Sequence, residues 1–152
     1  MQKITPFLWF DGNLEEAVNF YVSVFKNSKI TSGLPAAGGK AMSATFSLNG
    51  QDFIGLNGGP MFKFNEAVSF YVSCETQEEI DEMWDKLTEG GGEPGRCGWL
   101  KDKFGLSWQV VPPVLGQLLG DPDRARSKRA MEAMLGMNKI DIAALKKAAD
   151  GA

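Results

Sequence analysis

The chain has 152 residues, of which 43% are hydrophobic and 23% charged, with a formal net charge of −3 and no histidine. This length and composition favour a single globular domain with a sizeable core and exclude fibrous and disordered classes. The charges are mixed and slightly acidic, so the sequence predicts no nucleic-acid partner, and the missing histidine excludes triads and dyads that use a His base.

The first predicted element is a β-strand within residues 3–10, closed by the turn signal Asp11-Gly12-Asn13. Asn13 is a candidate N-cap for the helix that follows, which has acidic residues in its first turn, apolar residues at helical spacing and an end near Phe25. The stretch Ser28–Gly39 is rich in Gly, Pro and Ala, which predicts one irregular strand running into a mobile loop.

The middle of the chain predicts a hairpin. Asn49-Gly50, a strong two-residue turn signal, separates the strand candidates Ala41–Leu48 and Gln51–Leu56. The first half of the chain therefore has the predicted order β-α-β-β-β.

The second half repeats that order. A strand over Ala67–Cys74 precedes a helix over Thr76–Leu87, which Thr76 caps and a run of three glycines ends, and two further strand candidates lie around Arg96–Leu100 and Leu106–Val111. The two predicted helices superimpose at a constant offset of 63 residues, which also places Pro6 on Ser69. The simplest explanation is a duplicated βαβββ module.

A helical tail follows Pro112-Pro113. Its predicted helices are Val114–Leu119, a second that Asp121-Pro122-Asp123 starts and that runs to about Leu135, and a third that Asp141 caps and that runs through Ala149. The predicted organisation is a single domain over 1–152, with module one at 1–59, module two at 60–113 and a helical extension at 114–152.

Targeting signals are not visible. The N-terminal residues lack a charged region followed by an apolar one, and no apolar stretch approaches the roughly 20 residues of a membrane span. We expect a cytoplasmic protein with no membrane partner, in which Cys74 and Cys97 are reduced thiols.

Four separated blocks of the sequence resemble one known family. The blocks are ITPFLWFDGNLEEAVNFYVSVFKNS, LNGGPMFKFNEAVSFYVSCETQEEID, CGWLKDKFGLSWQVVP and MLGMNKIDIAAL. Together they resemble the PhnB-like branch of the glyoxalase/bleomycin-resistance (vicinal oxygen chelate) superfamily, many members of which carry the label 3-demethylubiquinone-9 3-methyltransferase domain. The resemblance implies an α+β fold of two βαβββ modules forming a curled mixed-sheet cup, with C-terminal helices and a homodimer.

The resemblance also implies a divalent metal held in the cup by His and Glu side chains. Its four ligand positions fall here on Pro6, Gly55, Ser69 and Gln109, which supply no charged or multidentate ligand. We therefore expect no metal and no cofactor, and the catalytic residues stay unassigned. The glycine clusters at 58–59 and 90–92 do not join a strand to a helix, so they predict turns rather than a nucleotide cradle for a methyltransferase.

Strand alternation separates two predicted faces. One face is uniformly apolar and is the expected core side; it comprises Phe7, Trp9, Ile54, Leu56, Phe70, Val72, Trp108 and Val110. The other mixes aromatic and neutral hydrogen-bonding groups and is the expected cup lining; it comprises Pro6, Leu8, Phe10, Phe53, Gly55, Asn57, Ser69, Tyr71, Ser73, Ser107 and Gln109.

The predicted lining suits a small, flat, partly polar organic ligand. Tyr71 and Gln109 are the candidates to orient it, with Asn57 and Ser69 behind them. Phe53 belongs to the same lining, and Trp99 either stacks at the rim or packs in the core. Glu66 is the carboxylate near this lining, with Lys63 as its expected partner.

Several functions remain open at this point. The sequence favours a metal-free binding module for a small, partly aromatic compound. The alternatives are a metal-assisted lyase or oxygenase of the superfamily, the labelled methyltransferase, or a dimeric structural protein with no ligand, whose cup is filled by side chains. In another interpretation, the lining strands only face water or a dimer partner.

Overall fold

The computed structural model describes residues 2–34 and 41–152. The chain separates into two compact units, Met1–Phe64 and Asn65–Ala152. Each unit contains one open four-stranded mixed sheet. The prediction of an α+β fold with two βαβββ modules and C-terminal helices is confirmed.

The described residues of the first unit, 2–34 and 41–64, form one helix and four strands. The elements are β1 (Phe7–Phe10), α1 (Leu14–Val24), β2 (Lys29–Ser32), β3 (Ser43–Leu48) and β4 (Gln51–Asn57). The sheet order is β1-β4-β3-β2, with β1 parallel to β4 and the other pairs antiparallel. The strand predicted early in Ser28–Gly39 is present as β2, and its pairing is irregular between Ile30 and Ser32, whereas positions 35–39 lie outside the described residues.

The buried face of the first sheet is the opposite of the predicted one. Leu8, Phe10 and Phe53 are at most 6% exposed, whereas Phe7 is 56% exposed. A Cβ at Gly55 would overlap the Leu14 side chain, so this face lies against α1. The prediction that Phe7 and its strand neighbours of the same parity form the core side is therefore wrong for this unit.

The start of α1 is capped from a distant strand. The Asn13 side chain makes no capping hydrogen bond, contrary to prediction. Instead the Asn57 Oδ1 accepts a hydrogen bond from the Leu14 backbone N at 3.0 Å, and the Asn57 Nδ2 donates to the Ala41 carbonyl at 2.9 Å. Asn57 thus satisfies one of the free N–H groups that every helix start presents.

The second unit repeats the order of elements and adds three helices. The elements are β5 (Ser69–Ser73), α2 (Gln77–Thr88), β6 (Glu93–Pro94), β7 (Trp99–Lys101), β8 (Ser107–Val111), α3 (Pro113–Leu119), α4 (Arg124–Leu135) and α5 (Ile142–Ala149). The sheet order is β5-β8-β7-β6, with β5 parallel to β8. The two-residue strand β6 completes the βαβββ order of this module.

In the second sheet the predicted core side is confirmed. Trp108 and Val110 are buried, together with Leu100, which pairs with Trp108 across β7 and β8. The helix α2 contacts both strands and buries Ile80 among other residues. Its predicted cap is also confirmed, because the Thr76 Oγ1 accepts from the Glu79 backbone N at 3.2 Å.

The tail helices pack on the second module. Asp141 caps α5 as predicted, since its Oδ1 accepts from the Ala144 backbone N at 3.0 Å. The tail also joins the connection between β6 and β7, where the Cys97 N donates to the Met137 carbonyl at 2.8 Å. No helix within the described ranges is both long enough and apolar enough to cross a membrane.

Candidate functional site

The candidate site is the face of the second sheet that lies opposite its buried core side. Residues paired across neighbouring strands share a face, and they form two rows here. The first row contains Tyr71, Gln109 and Trp99 on β5, β8 and β7. The second row lies two residues away along β5, β8 and β7. It contains Ser69, Ser107, Lys101 and, on β6, Glu93.

Four of the predicted ligand-binding residues are therefore brought together. The Gln109 Nε2 donates a hydrogen bond to the Ser69 Oγ at 3.0 Å, so the two rows are linked by a fixed amide. Tyr71 is 59% exposed, and Trp99 is partly buried beyond Gln109. The arrangement presents an exposed phenol, an oriented amide and an indole side by side.

The second row carries an ion pair. The Lys101 Nζ contacts the Glu66 carboxylate, so Glu66 pairs with Lys101 rather than with the expected Lys63. The hydrogen bond from Lys101 holds the pKa of Glu66 below its ordinary value, and the same bond raises the pKa of Lys101. Sequence reasoning missed Lys101, although strand alternation from Trp99 would have placed it on the same face.

Ser107 pairs with Lys101 and lies next to it in the row. It is 1% exposed, and its hydroxyl makes no hydrogen bond. Buried hydroxyl groups normally have a partner, because an unpaired one loses its hydrogen bonds to water without compensation. Ser107 was placed in the predicted lining, but its burial was not foreseen.

The tail borders one end of this face. Val111 lies two residues beyond Gln109 on β8 and pairs with Ser73. It is buried in a cluster with Leu115, Ile140 and Leu145. A ligand on the two rows would therefore meet apolar side chains of the helical tail on that side.

Phe53 and Asn57 do not belong to this face. Both lie in the first unit, where Phe53 stacks on Phe46 with ring centroids 5.4 Å apart. The side-chain amide of Asn57 caps the start of α1. Their predicted place on the ligand side is wrong, because the first sheet buries the strand positions that were expected to be open.

The open face of the first sheet is more apolar. Phe7 is exposed there, and the Trp9 Nε1 donates to the Gly59 carbonyl at 2.8 Å while its ring packs against Phe62. A groove of about 210 Å³ on this unit is lined mainly by threonines and apolar strand residues. The lining of this groove supplies threonine hydroxyl groups and no positively charged side chain.

The four positions implied for a superfamily metal do not fit one. Position 55 faces α1 and has no room for a side chain, and Pro6 offers no donor. Ser69 and Gln109 are neutral and are hydrogen-bonded to each other. Among residues 2–34 and 41–152, no three His, Cys, Asp or Glu side chains are grouped as metal ligands. The donor set is too weak for a divalent cation.

Gly90 and Gly91 lie in a turn after α2, as predicted, whereas Gly58 and Gly59 follow β4 outside any assigned turn. Gly59, Gly90 and Gly91 have positive φ angles, which glycine adopts without steric cost. At Gly58 a Cβ would overlap the Trp9 ring, so packing explains this glycine.

The comparisons with known proteins agree on one family. Residues 2–111 match the family model described as 3-demethylubiquinone-9 3-methyltransferase. The PhnB protein of Bacillus cereus is 42% identical, with a TM-score of 0.65 over 73% of this chain and 99% of that protein. A search among curated proteins finds no match.

More distant structures share the fold. Protein PA1353 of Pseudomonas aeruginosa is 20% identical, with a TM-score of 0.60 over 74% of this chain and 98% of its own. The fosfomycin resistance protein FosX of Listeria monocytogenes is 15% identical, with a TM-score of 0.56 over 77% of this chain and 97% of its own. The family model ends before the helices α3, α4 and α5 begin.

Proposed function

Because the chain belongs to the 3-demethylubiquinone-9 3-methyltransferase family, the PhnB-like branch of the glyoxalase superfamily, we propose that it binds a small, flat, partly polar aromatic molecule on the open face of its second sheet. Binding uses no divalent metal. The observation that carries the proposal is the row of Tyr71, Gln109 and Trp99 on three adjacent strands.

Each residue of that row makes its own kind of contact with the ligand. The rings of Tyr71 and Trp99 offer apolar surface and stacking, which favour a planar ligand. The amide of Gln109 is held by Ser69, so it presents its carbonyl oxygen in a fixed direction for one hydrogen-bond donor of the ligand. The homodimer and the cytoplasmic location expected from the sequence stay predictions.

The proposal is tested by ligand-observed NMR with a set of substituted phenols, benzoates and benzamides. At least one aromatic probe binds the intact protein, and Tyr71→Ala and Gln109→Leu each weaken its binding roughly tenfold, as expected for one stacked ring or one oriented hydrogen bond. Leu135→Ala, at a comparably exposed residue on α4, is the control and leaves binding unchanged. If no aromatic probe binds, or if both site variants bind as tightly as the unaltered protein, the proposal is wrong.

Two further measurements test the competing activities, which are metal-assisted catalysis and methyl transfer. Elemental analysis that finds stoichiometric nickel, iron, manganese or zinc in purified protein contradicts the metal-free part of the proposal. Calorimetric titration with adenosylmethionine tests the activity named by the family, and micromolar binding would favour it over a binding module.

A further inference from the structure

Ser107 occupies the centre of the polar row and has an unused hydroxyl. Its Oγ is the single buried side-chain N or O atom without a hydrogen-bond partner in the described part of the chain. The residue lies on β8 between Ser69 on β5 and Lys101 on β7, so it shares the open face with both. A residue on an open face that is only 1% exposed is covered by neighbouring side chains.

An ion pair lies next to Ser107 on this face. Glu66 precedes the start of β5, whereas Lys101 is on β7, two strands away in the sheet order. The Glu66 carboxylate contacts Lys101, which is the residue of β7 that pairs with Ser107. The pair places one carboxylate beside the cation of the row.

The partner of Lys101 is easily exchanged. The Lys101 side chain is 37% exposed and that of Glu66 59% exposed, and ion pairs with such access to water contribute little to stability. Glu66 also lies in a turn rather than in a strand, so its side chain can swing out without breaking the ladder of the sheet. A second carboxylate that reached Lys101 would replace Glu66 at small cost.

We propose that the ligand of this face is an aromatic carboxylate whose acid group takes the place of Glu66 on Lys101 and accepts a hydrogen bond from the Ser107 hydroxyl. The inference rests on the binding function proposed above and specifies its substrate class. Same-face residues along a strand are roughly 7 Å apart, which matches the distance from a carboxylate to the far side of one aromatic ring. The ring of such a ligand lies along Tyr71, Gln109 and Trp99 while its acid group lies on the second row.

The test compares 4-hydroxybenzoate with 4-hydroxybenzamide, which share a ring and differ in charge. In calorimetric titrations the acid binds roughly tenfold more tightly than the amide, the range expected for one hydrogen-bonded charge. Glu66→Gln removes the competing carboxylate, so it strengthens binding of the acid severalfold and leaves the amide unchanged. Lys101→Met abolishes the preference for the acid.

Two further variants complete the design. Ser107→Ala weakens the acid alone, and its thermal midpoint is unchanged or higher because the lost hydroxyl had no partner. Glu82→Gln removes a comparably exposed ion pair with Lys86 on α2, and this control binds both probes as the unaltered protein does.

Failure of this inference is distinguishable from failure of the proposed function. If acid and amide bind equally, or if Glu66→Gln weakens the acid, the carboxylate assignment is overturned while aromatic binding stands. If neither probe binds at millimolar concentration, the carboxylate assignment is overturned, and the wider set of aromatic probes decides the proposed function separately.

Discussion

The two βαβββ modules of this protein bury opposite strand positions. At the offset of 63 residues that superimposes their helices, Leu8 in β1 corresponds to Tyr71 in β5. Leu8 is 6% exposed and Tyr71 59% exposed. The helices of the two modules bury equivalent positions, because the buried Ala17 and Tyr21 correspond to the buried Ile80 and Trp84. The difference between the modules therefore lies in their strands.

A slip of one residue explains the difference. Side chains alternate along a strand, so a shift by one position exchanges its two faces completely. The first module thereby buries the face that the second module leaves open. A duplication recognised from its helices therefore does not show which strand face is open in each module.

The largest expected effect comes from paired positions on the central strands. Gly55 pairs with Leu8 in the first sheet, and Gln109 pairs with Tyr71 in the second. Gly55→Val forces a side chain into Leu14 and destabilises the first unit by about 3 kcal/mol. Gln109→Val, on the open face, loses only the hydrogen bond to Ser69 and costs at most about 1 kcal/mol.

Urea denaturation followed by tryptophan fluorescence measures both variants. Equal losses of stability would contradict the inverted faces, because they would mean that both positions point into a core.

A smaller effect separates the two helix starts. Asn57→Ala removes the cap of α1 and leaves the Ala41 carbonyl without its donor, so it costs about 2 kcal/mol. Thr76→Ala removes the single cap of α2 and costs about 1 kcal/mol. Asn13→Ala, at a residue without a side-chain cap, costs less than about 0.5 kcal/mol. Thermal unfolding ranks the three variants, and a cost for Asn13 equal to that of Asn57 would show that the local residue caps the helix.

The smallest expected effect concerns the chemistry of the two thiols. Cys74 is buried where the first module has the exposed Asp11, and burial raises its pKa to about 11, with a lesser contribution from the charge of Glu79. At pH 8 about one part in a thousand of this group is thiolate. Iodoacetamide therefore modifies the partly exposed Cys97 first, and reaction at Cys74 increases about tenfold with each pH unit up to its pKa.

Mass spectrometry of the alkylated protein locates each modification. The variant Cys74→Ala removes only the slow phase. Equal rates at the two residues at pH 8 would be inconsistent with a buried Cys74.

Local signals in the sequence predicted much of the fold. Thr76 and Asp141 cap their helices, and Asn49-Gly50 makes its hairpin, because each depends on residues only a few positions away. The face of the second sheet was also predicted correctly. That of the first was not, because Phe7, Leu8, Trp9 and Phe10 are all apolar and alternation gives no contrast between them.

Long-range contacts could not be predicted from one sequence. The cap on α1 comes from Asn57, 43 positions beyond Leu14. The partner of Glu66 is Lys101 rather than the nearby Lys63. Tyr71, Gln109 and Ser69 were placed correctly on one face, whereas the position of Trp99 on that face and the burial of Ser107 were not predicted.

The contacts of the tail fix an order of events during synthesis. The Gln77 Nε2 donates to the Ile140 carbonyl, and its Oε1 accepts from the Ile142 backbone N. The backbone amides of Cys97 and Gly98 likewise donate to the carbonyls of Met137 and Asn138. On the ribosome, the sheet of the first unit has all its strands while these tail residues are still untranslated. The second unit, which holds the candidate site, therefore matures last, and the face that carries this site is completed only after α4 has emerged.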